Sequence, residues 1–369
     1  MIPVNTPVFN GNEEKYLVDC IRSGWISSEG SYVTRFEREF ASYIGMDHGV
    51  AVSNGSAALD IALEAIGLNE GDEVIMPTFT IISPAFSVLR TGAKIVLVDM
   101  DNDTWNMALD EVESKITPKT KAIIAVHIYG LTSNLKRLRE ICDKKGIILI
   151  EDAAEAHGQE VFGKKVGSYG DISTFSFYPN KTITTGEGGI VLTRDVKLAE
   201  KARELRNLSF KPSKRRFVHY SFGWNYRMTN LQAAIGCAQL ENIEEHIRKK
   251  KLIGKLYTEQ LKGIPGVQLP LEKTNFSVNN YWVFGIVLDD EEKAIYVQEE
   301  LGKHGIGTRP FFWSMHEQPV FNELGLFLGE HYPIAERLSR CGFYLPSGLG
   351  LNETEIQSVC QAFRNLINQ

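Results

Sequence analysis

The sequence is poor in cysteine and contains no long apolar run. Its five cysteines are Cys20, Cys142, Cys237, Cys341 and Cys360. Their odd number and the lack of Cys-x-x-Cys spacing indicate reduced, buried thiols in a cytoplasmic protein rather than a disulfide framework. No segment approaches the ~20 consecutive apolar residues of a membrane span. The first seven residues lack a basic region followed by an apolar run, which argues against a signal peptide.

Positive charge is also scarce, because the 369 residues carry a net charge of −6. We therefore expect no nucleic acid partner, although a locally positive site could still bind an anionic ligand. No Gly-x-Gly-x-x-Gly follows the first strand, and Gly158–Lys165 fails as a P-loop because Lys165 replaces the Ser or Thr that contacts magnesium. The histidines and cysteines lack zinc-site spacing, so no metal is expected.

Short apolar runs that alternate with helical patterns dominate the first two thirds of the chain. The predicted strands are Glu73–Met76, Lys94–Val98, Lys121–Val126, Ile147–Ile150, Ile172–Phe177 and Ile190–Thr193. Predicted helices cover residues 12–23, 33–44, 56–67 and 229–260, the last with a basic run, residues 246–251, as a solvated face. This alternation predicts an α/β fold with a mostly parallel central sheet and helices on both faces.

The pattern changes after Pro265, where a smaller α+β region is predicted. It contains a strand at Tyr281–Leu288 and helices at Lys293–His304 and Glu353–Asn368. We expect a large cofactor-binding domain over residues 1–250 and a small C-terminal domain over residues 251–369, with residues 1–15 packed against the latter.

Three features follow predicted strands or open a helix, the places where open α/β sheets bind ligands. In the first, Ser53–Ala58, Gly55 permits close backbone approach, while Ser56 can cap the following helix and offer a hydroxyl. The free N–H groups at such a helix start bind anions such as phosphate. Taken alone, the segment is equally typical of an ordinary helix cap.

The second feature is Asp152, which follows the strand Ile147–Ile150. An ionised carboxylate there could keep the nitrogen of a pyridine ring protonated, as pyridoxal chemistry requires. Taken alone, Asp152 would be a helix cap or a surface acid.

The third feature is Lys181, which lies between an aromatic strand end and the glycines 186, 188 and 189. No helical pattern accounts for this lysine, and partial burial would lower its pKa and favour Schiff-base formation. Ser176 could donate a hydrogen bond to a phosphate. Alone, the segment could be a hairpin turn, but the order of anion loop, Asp152 and Lys181 is that of fold type I pyridoxal phosphate enzymes.

Motifs along nearly the whole chain resemble the DegT/DnrJ/EryC1/StrS sugar aminotransferases. They are Gly24-Trp-Ile-Ser, Ser53-Asn-Gly-Ser-Ala-Ala-Leu, Pro77-Thr-Phe-Thr, Val126-His-Ile-Tyr-Gly, Glu151-Asp-Ala-Ala-Glu-Ala, Asn180-Lys-Thr-Ile-Thr-Thr-Gly-Glu-Gly-Gly and Asn225-Tyr-Arg-Met-Thr-Asn-Leu-Gln-Ala-Ala. The resemblance implies that Lys181 holds pyridoxal 5′-phosphate as a Schiff base and that Asp152 pairs with its ring nitrogen.

The same resemblance assigns further binding residues. The backbone of Gly55, Ser56 and Ala57 would hold the phosphate together with the Ser176 hydroxyl. Asn225 would reach the phosphate from the other subunit of a homodimer. The ring of Phe79 is a candidate for stacking on the cofactor, and it could equally be a core aromatic residue.

The resemblance also implies transamination of a nucleotide-linked 4-keto-6-deoxy sugar with L-glutamate as donor, in surface polysaccharide synthesis. GDP-4-keto-6-deoxymannose is the first candidate, and dTDP- or UDP-linked sugars stay open. Tyr129 and Arg309 are candidate substrate contacts, as is the basic cluster Lys211, Lys214, Arg215 and Arg216.

Two departures and two alternatives accompany this interpretation. Glu155 replaces a Gln that many relatives carry beside the cofactor's phenolic oxygen, and Pro179 replaces a common Gly. A dehydratase on the same fold usually has His in place of Lys181. A non-catalytic cofactor-binding regulator is the remaining alternative.

Overall fold

A seven-stranded sheet occupies the centre of the first two thirds of the chain. The computed structural model describes residues 1–211, 214–215 and 217–367. In order across the sheet, the strands are His48–Val52, Gly189–Thr193, Ile172–Ser176, Ile148–Asp152, Thr120–Val126, Glu73–Pro77 and Lys94–Val98. Only Gly189–Thr193 runs antiparallel to its two neighbours. The expected mostly parallel sheet is therefore confirmed, and all six predicted strands are present within a few residues of their predicted bounds.

Side chains that alternate along each strand build two cores, one on each face of the sheet. Ile124 and Ile150 belong to one core, while Ile123 and Leu149 belong to the other. This arrangement explains the nearly continuous apolar runs, since both faces of a parallel sheet are covered.

Helices cover both faces of the sheet and connect its strands. They are Glu13–Ser23, Ser31–Ile44, Gly55–Ile66, Ser83–Arg90, Leu109–Ser114, Leu135–Lys145, Val196–Leu205, Asn230–Glu241 and Ile243–Leu261. The last two were predicted as one helix, and they are separate because Asn242 leaves helical geometry at the junction. The first of them starts with a capping box between Thr229 and Gln232.

The basic run on the helix Ile243–Leu261 is only partly solvated, so its prediction as a solvated face was wrong in part. His246 and Lys250 are buried, whereas Arg248 and Lys251 are exposed. The ring of His246 hydrogen-bonds to the carbonyl of Thr182, and Lys250 donates to the carbonyls of Trp282 and Ser347.

The C-terminal third forms a four-stranded antiparallel sheet in the order Val267–Gln268, Phe284–Leu288, Gly342–Leu345 and Arg309–Pro310. Its helices are Glu291–Lys303, Pro319–Glu323, Pro333–Cys341 and Glu353–Ile367, with a 3₁₀ turn at Met315–Glu317. Asn368, the predicted end of the last helix, lies outside the described residues.

The strand Phe284–Leu288 begins later than the predicted Tyr281, because Tyr281 has a left-handed φ of 51° that is incompatible with an extended strand. The domain boundary at residue 250 stays a prediction, since the helix Ile243–Leu261 runs through it and packs Tyr257 into the C-terminal core.

The predicted packing of residues 1–15 against this C-terminal region holds for the first residues only, since Asn12 and Glu13 contact the helix Asn230–Glu241. Ile2 forms a parallel bridge with Ile306, and the Val4 carbonyl accepts a hydrogen bond from the N–H of Ser347. Asn5 donates from its side chain to the carbonyl of Pro179, beside Lys181. In the part of the chain that the structure describes, no helix is long and apolar enough to cross a bilayer.

Candidate active site

A cavity of about 550 Å³ lies at the carboxyl ends of the parallel strands. Val126, Asp152 and Ser176, which are the last residues of three strands, form part of its wall. Gly55 and Lys181 line it as well. The three features that the sequence analysis singled out are thus brought together around one cavity.

Asp152 and its neighbour Glu151 point to opposite faces of the sheet. Asp152 lines the cavity, is 3% exposed, and accepts a hydrogen bond of 3.2 Å from the Ala154 N–H. Burial raises the pKa of the Asp152 carboxyl, while the Ala154 N–H and the ammonium of Lys181 oppose that shift. Glu151 instead binds backbone N–H groups of the loop 167–170 and pairs with His127 at 3.2 Å. Of these two neighbouring carboxylates, Asp152 is therefore the one placed to act on a ligand in the cavity.

The amine of Lys181 lies in a buried setting between a carboxylate and an aromatic ring. Its Nζ is 3.6 Å from Oε1 of Glu155 and 4.0 Å from the centre of the Trp282 ring. Burial lowers the pKa of Lys181, and the negative charges of Glu155 and Asp152 oppose this. A lysine held this way becomes a neutral, nucleophilic amine more readily than a solvated lysine does.

Glu155 is the carboxylate that faces this amine. Its Oε2 accepts a hydrogen bond of 3.0 Å from the backbone N–H of Tyr129. Burial raises the pKa of Glu155 to about 7, against the opposing effects of Lys181 and of that N–H. Burial thus raises the pKa of Glu155 and lowers that of Lys181, while the contact between them favours the charged form of each.

The N-terminus of the helix Gly55–Ile66 also forms part of the cavity wall. Asn54, and not Ser56 as predicted, caps this helix, because its side-chain oxygen accepts a hydrogen bond of 2.8 Å from the Ala57 N–H. The Ser56 hydroxyl is bonded to that of Ser83 at 2.8 Å. Gly55 and Ser56 line the cavity, whereas Ala57 is buried behind them.

Gly55 is required by a close approach between the helix start and the end of a strand. A Cβ at this position would lie 2.7 Å from Cβ of Ser176, which is too close for any side chain. The backbone of Gly55 and the hydroxyl of Ser176 consequently meet at the cavity wall, as an anion-binding cradle needs.

Two polar atoms in the cavity wall lack a hydrogen-bond partner within the described residues. They are Oγ1 of Thr80 and Oδ1 of Asn180, both buried. Buried polar atoms are almost always paired, so these two leave hydrogen-bonding capacity unused beside the cavity. With the helix start, Lys181 and Asp152, the residues present fit pyridoxal phosphate.

Four other predicted residues lie outside the cavity wall. Phe79 is fully buried against Tyr129 and Phe311, as a core aromatic residue would be. Its stacking on the cofactor stays a prediction. The Tyr129 hydroxyl accepts a hydrogen bond of 3.1 Å from the Phe312 N–H, and it is the Tyr129 backbone that contacts Glu155. The side chain of Tyr129 therefore supports the site from behind.

Asn225 and Arg309 are both exposed. The Asn225 oxygen accepts a hydrogen bond of 2.9 Å from Arg227 on the surface. Arg309 pairs in register with Tyr344, whose side chain lines the cavity. In the basic cluster, Lys214 and Arg215 are exposed, and Arg216 lies outside the described residues.

Sequence reasoning did not identify Trp282, Thr80 and Tyr344 as cavity residues. Trp282 precedes a strand of the second sheet and reaches the cavity only because the two sheets pack together. No local motif marks such a residue. The only signal in the sequence was an aromatic pair, residues 281 and 282, at the start of a predicted strand.

Comparisons with known proteins find relatives and solved structures that match nearly the whole chain. The profile of the DegT/DnrJ/EryC1/StrS aminotransferase family matches residues 8–364. A GDP-perosamine synthase of Vibrio cholerae is 42% identical over 100% of both chains, and one of Escherichia coli O157:H7 is 40% identical over 98% of this chain and 97% of the relative. The PLP form of Spr1654, a putative sugar aminotransferase from Streptococcus pneumoniae, superimposes with a TM-score of 0.93 at 25% identity, covering 100% of this chain and 98% of the other.

Proposed function

The chain belongs to the DegT/DnrJ/EryC1/StrS aminotransferase family, and we propose that it transfers the amino group of L-glutamate to carbon 4 of GDP-4-keto-6-deoxymannose. The product would be GDP-perosamine, a sugar donor for O-antigen or another surface polysaccharide. The observation that carries the proposal is the buried group of Lys181, Glu155 and Asp152 in one cavity. The full-length relatives named GDP-perosamine synthase support the choice of sugar. A dTDP- or UDP-linked keto sugar is the alternative acceptor.

The chain's own residues would hold the cofactor at both ends of the cavity. The phosphate would lie against the backbone of Gly55 and Ser56 and the hydroxyl of Ser176, where the helix dipole favours an anion. Lys181 would hold the aldehyde carbon covalently at the other end. When bound, pyridoxal phosphate supplies an electron-poor ring that stabilises negative charge beside the amino nitrogen.

Asp152 would keep that ring electron-poor. Its carboxylate is buried, so its interaction with a ring N–H is strong, and a cationic ring nitrogen would lower the pKa of Asp152 toward the ionised form. The Ala154 N–H holds the carboxylate in position.

Lys181 would carry the proton in both halves of the reaction. Its Nζ, as the free amine, would take the proton from the α-carbon of glutamate and give it to the cofactor carbon that keeps the amino group. In the second half it would take a proton from that carbon and give it to the sugar carbon that receives the amine. Burial lowers the pKa of Lys181, so a larger fraction of this amine is neutral at pH 7 than for a solvated lysine. Glu155, 3.6 Å away, would stabilise the ammonium form of Lys181 while Lys181 carries the proton.

The nucleotide would be bound at the mouth of the cavity. Arg309 is exposed beside Tyr344 and could meet the diphosphate or the carboxylate of glutamate. Tyr129 would act indirectly, by holding Phe312 and Glu155 in the cavity wall.

A homodimer with shared active sites would complete the phosphate site. Asn225 is exposed and lies outside the cavity of its own chain, so it could reach a partner's cavity. Phe222, three residues away, is 95% exposed, which is unusual for a large apolar side chain and suits a covered surface. We place the enzyme in the cytoplasm, where nucleotide sugars are made.

The proposal is tested by incubating the purified protein with pyridoxal phosphate, L-glutamate and a panel of GDP-, dTDP- and UDP-linked keto sugars. We expect 2-oxoglutarate release to be fastest with GDP-4-keto-6-deoxymannose and to disappear in Lys181→Ala. Equal or faster turnover of a dTDP- or UDP-linked sugar would overturn the choice of acceptor. Activity that persists in Lys181→Ala would overturn the role of the lysine.

A further inference from the structure

Trp282 contacts the reacting amine and the backbone of the loop that carries it. The centre of its ring is 4.0 Å from Nζ of Lys181. Its indole Nε1–H donates a hydrogen bond of 2.8 Å to the carbonyl of Asn180, the preceding residue. One side chain, from the residues that precede the strand Phe284–Leu288, therefore contacts both the amine and the main chain of the lysine loop.

Lys250 in turn fixes the backbone of Trp282. Its Nζ donates hydrogen bonds of 2.9 Å to the carbonyl of Trp282 and of 2.6 Å to the carbonyl of Ser347. Lys250 is 2% exposed, and burial lowers its pKa to about 7. A neutral lysine amine keeps two N–H donors, so both carbonyls can stay bonded whether or not Lys250 is charged.

A lysine is an unusual choice for joining two carbonyl groups in the protein interior. Fully buried lysines are rare because desolvation opposes their charge. The Ser347 hydroxyl also accepts a hydrogen bond from the Phe284 N–H. The helix of Lys250, the residues around Trp282 and the residues around Ser347 therefore meet beside the strand Phe284–Leu288. This junction ties the backbone of Trp282 to Ser347 and to the helix Ile243–Leu261.

We propose that the ring of Trp282 binds the Lys181 amine through a cation–π interaction. Lys250 is a positioning residue that holds Trp282 in place. The face of an indole ring attracts an ammonium group, most strongly where water is excluded. Trp282 therefore stabilises the protonated form of Lys181 against the desolvation of the cavity. During turnover the ring would hold the amine near the reacting carbon whenever a substrate has taken its place on the cofactor. This inference rests on the proposed function in naming Lys181 as the cofactor lysine.

The test measures the protonation of Lys181 directly, without relying on turnover. Cofactor-free protein is given a short pulse of acetic anhydride at a series of pH values, and acetylation of Lys181 is quantified by peptide mass spectrometry. In Trp282→Leu the midpoint of labelling should fall by about one pH unit, since the cation–π interaction is lost. Trp282→Phe keeps an aromatic face but loses the Asn180 hydrogen bond, and its midpoint should fall by about half as much. An unchanged midpoint in either folded variant would overturn the proposal.

Lys250→Met tests the second part, with Lys251→Met as its matched control. Lys251 is the next residue on the same helix and is exposed. Lys250→Met should lower the labelling midpoint of Lys181, and Lys251→Met should leave it unchanged. In the loaded enzyme, Lys250→Met should lower kcat about tenfold while KM for glutamate changes less than about twofold, because the loss lies in the chemical step. A folded Lys250→Met with a wild-type midpoint would remove Lys250 from the proposal.

These outcomes are separable from those of the proposed function. If the wild-type protein aminates no keto sugar while the variants show the shifted labelling midpoints, the proposed function is rejected and the role of Trp282 stands. An active enzyme whose midpoint does not respond to Trp282→Leu would reject only the present inference.

Discussion

The Nζ of Lys181 lies 3.6 Å from Oε1 of Glu155, and both side chains are almost completely buried. Burial raises the pKa of Glu155 to about 7 and lowers that of Lys181. The two groups therefore approach each other in proton affinity, although solvated lysine and glutamate differ by about six pH units. Proton transfer between these two groups therefore costs less free energy than between a solvated lysine and a solvated glutamate.

The raised pKa of Glu155 predicts how stability depends on pH. Between the ordinary pKa of 4.5 and the value of about 7 in the folded protein, the native state binds more protons than the unfolded state. Stability from this group is therefore lost as the pH rises through that window. In Glu155→Gln this loss is absent, so the variant should gain melting temperature relative to wild type between about pH 4.5 and pH 7.

Glu299→Gln is the matched control, since Glu299 is exposed. Its melting temperature should follow that of wild type across the same pH series. The interpretation of Glu155 would be wrong if Glu155→Gln and wild type kept a constant difference in melting temperature from acid to neutral pH.

Asp152→Asn should retain the cofactor and lose most of the rate. The amide preserves the shape of the side chain but not the negative charge that would hold the ring nitrogen protonated. We expect kcat to fall at least about a hundredfold, since the lost interaction is electrostatic and buried. Cofactor absorbance after gel filtration checks binding, and 2-oxoglutarate release checks the rate. A variant with near wild-type kcat would show that Asp152 does not act on the ring.

Gly55→Ala should damage the phosphate end of the cavity. The added methyl would lie 2.7 Å from Cβ of Ser176, so the helix start or the strand end must shift. Crowding of this kind costs about 1–3 kcal/mol of stability, and the cofactor affinity should fall. Gly302→Ala is the control, because nothing lies within 4 Å of its new methyl in the helix Glu291–Lys303. Equal cofactor affinity in the two variants, by fluorescence titration, would contradict the role of Gly55.

Hybrid dimers test whether active sites are shared between subunits. Lys181→Ala should be inactive, and Asn225→Ala should bind the cofactor poorly if its side chain serves the partner's site. Mixing and refolding the two variants should restore activity, because one site of each hybrid then contains both residues. If the mixture stays as inactive as its components, while a size measurement shows that hybrids form, Asn225 does not act across the interface.

Local patterns were sufficient to predict the parts of the site that follow strands. Asp152 and Lys181 were found because each follows an apolar run at the same edge of the sheet. The short strand His48–Val52 was missed because only its last three residues, Val50, Ala51 and Val52, are apolar. Asn54 was overlooked as the helix cap because two serines in the same segment are equally good caps.

Contacts between distant elements could not be predicted from local patterns. Lys250 lies in a basic run that indicates a solvated helix face, and only the packing of the loops around Trp282 and Ser347 buries it. Trp282 enters the cavity for the same reason. Tertiary contacts of this kind leave no periodicity in the sequence, which is why the amine's aromatic neighbour emerged only from the structure.

Reductive trapping measures the central claim most directly. The protein is loaded with pyridoxal phosphate, reduced with borohydride and digested, and the modified peptide is identified by mass spectrometry. We predict a single pyridoxyl group on Lys181, and its loss when L-glutamate is added before reduction. A pyridoxyl group on another lysine, such as the buried Lys250, or on none, would contradict the assignment of the active site.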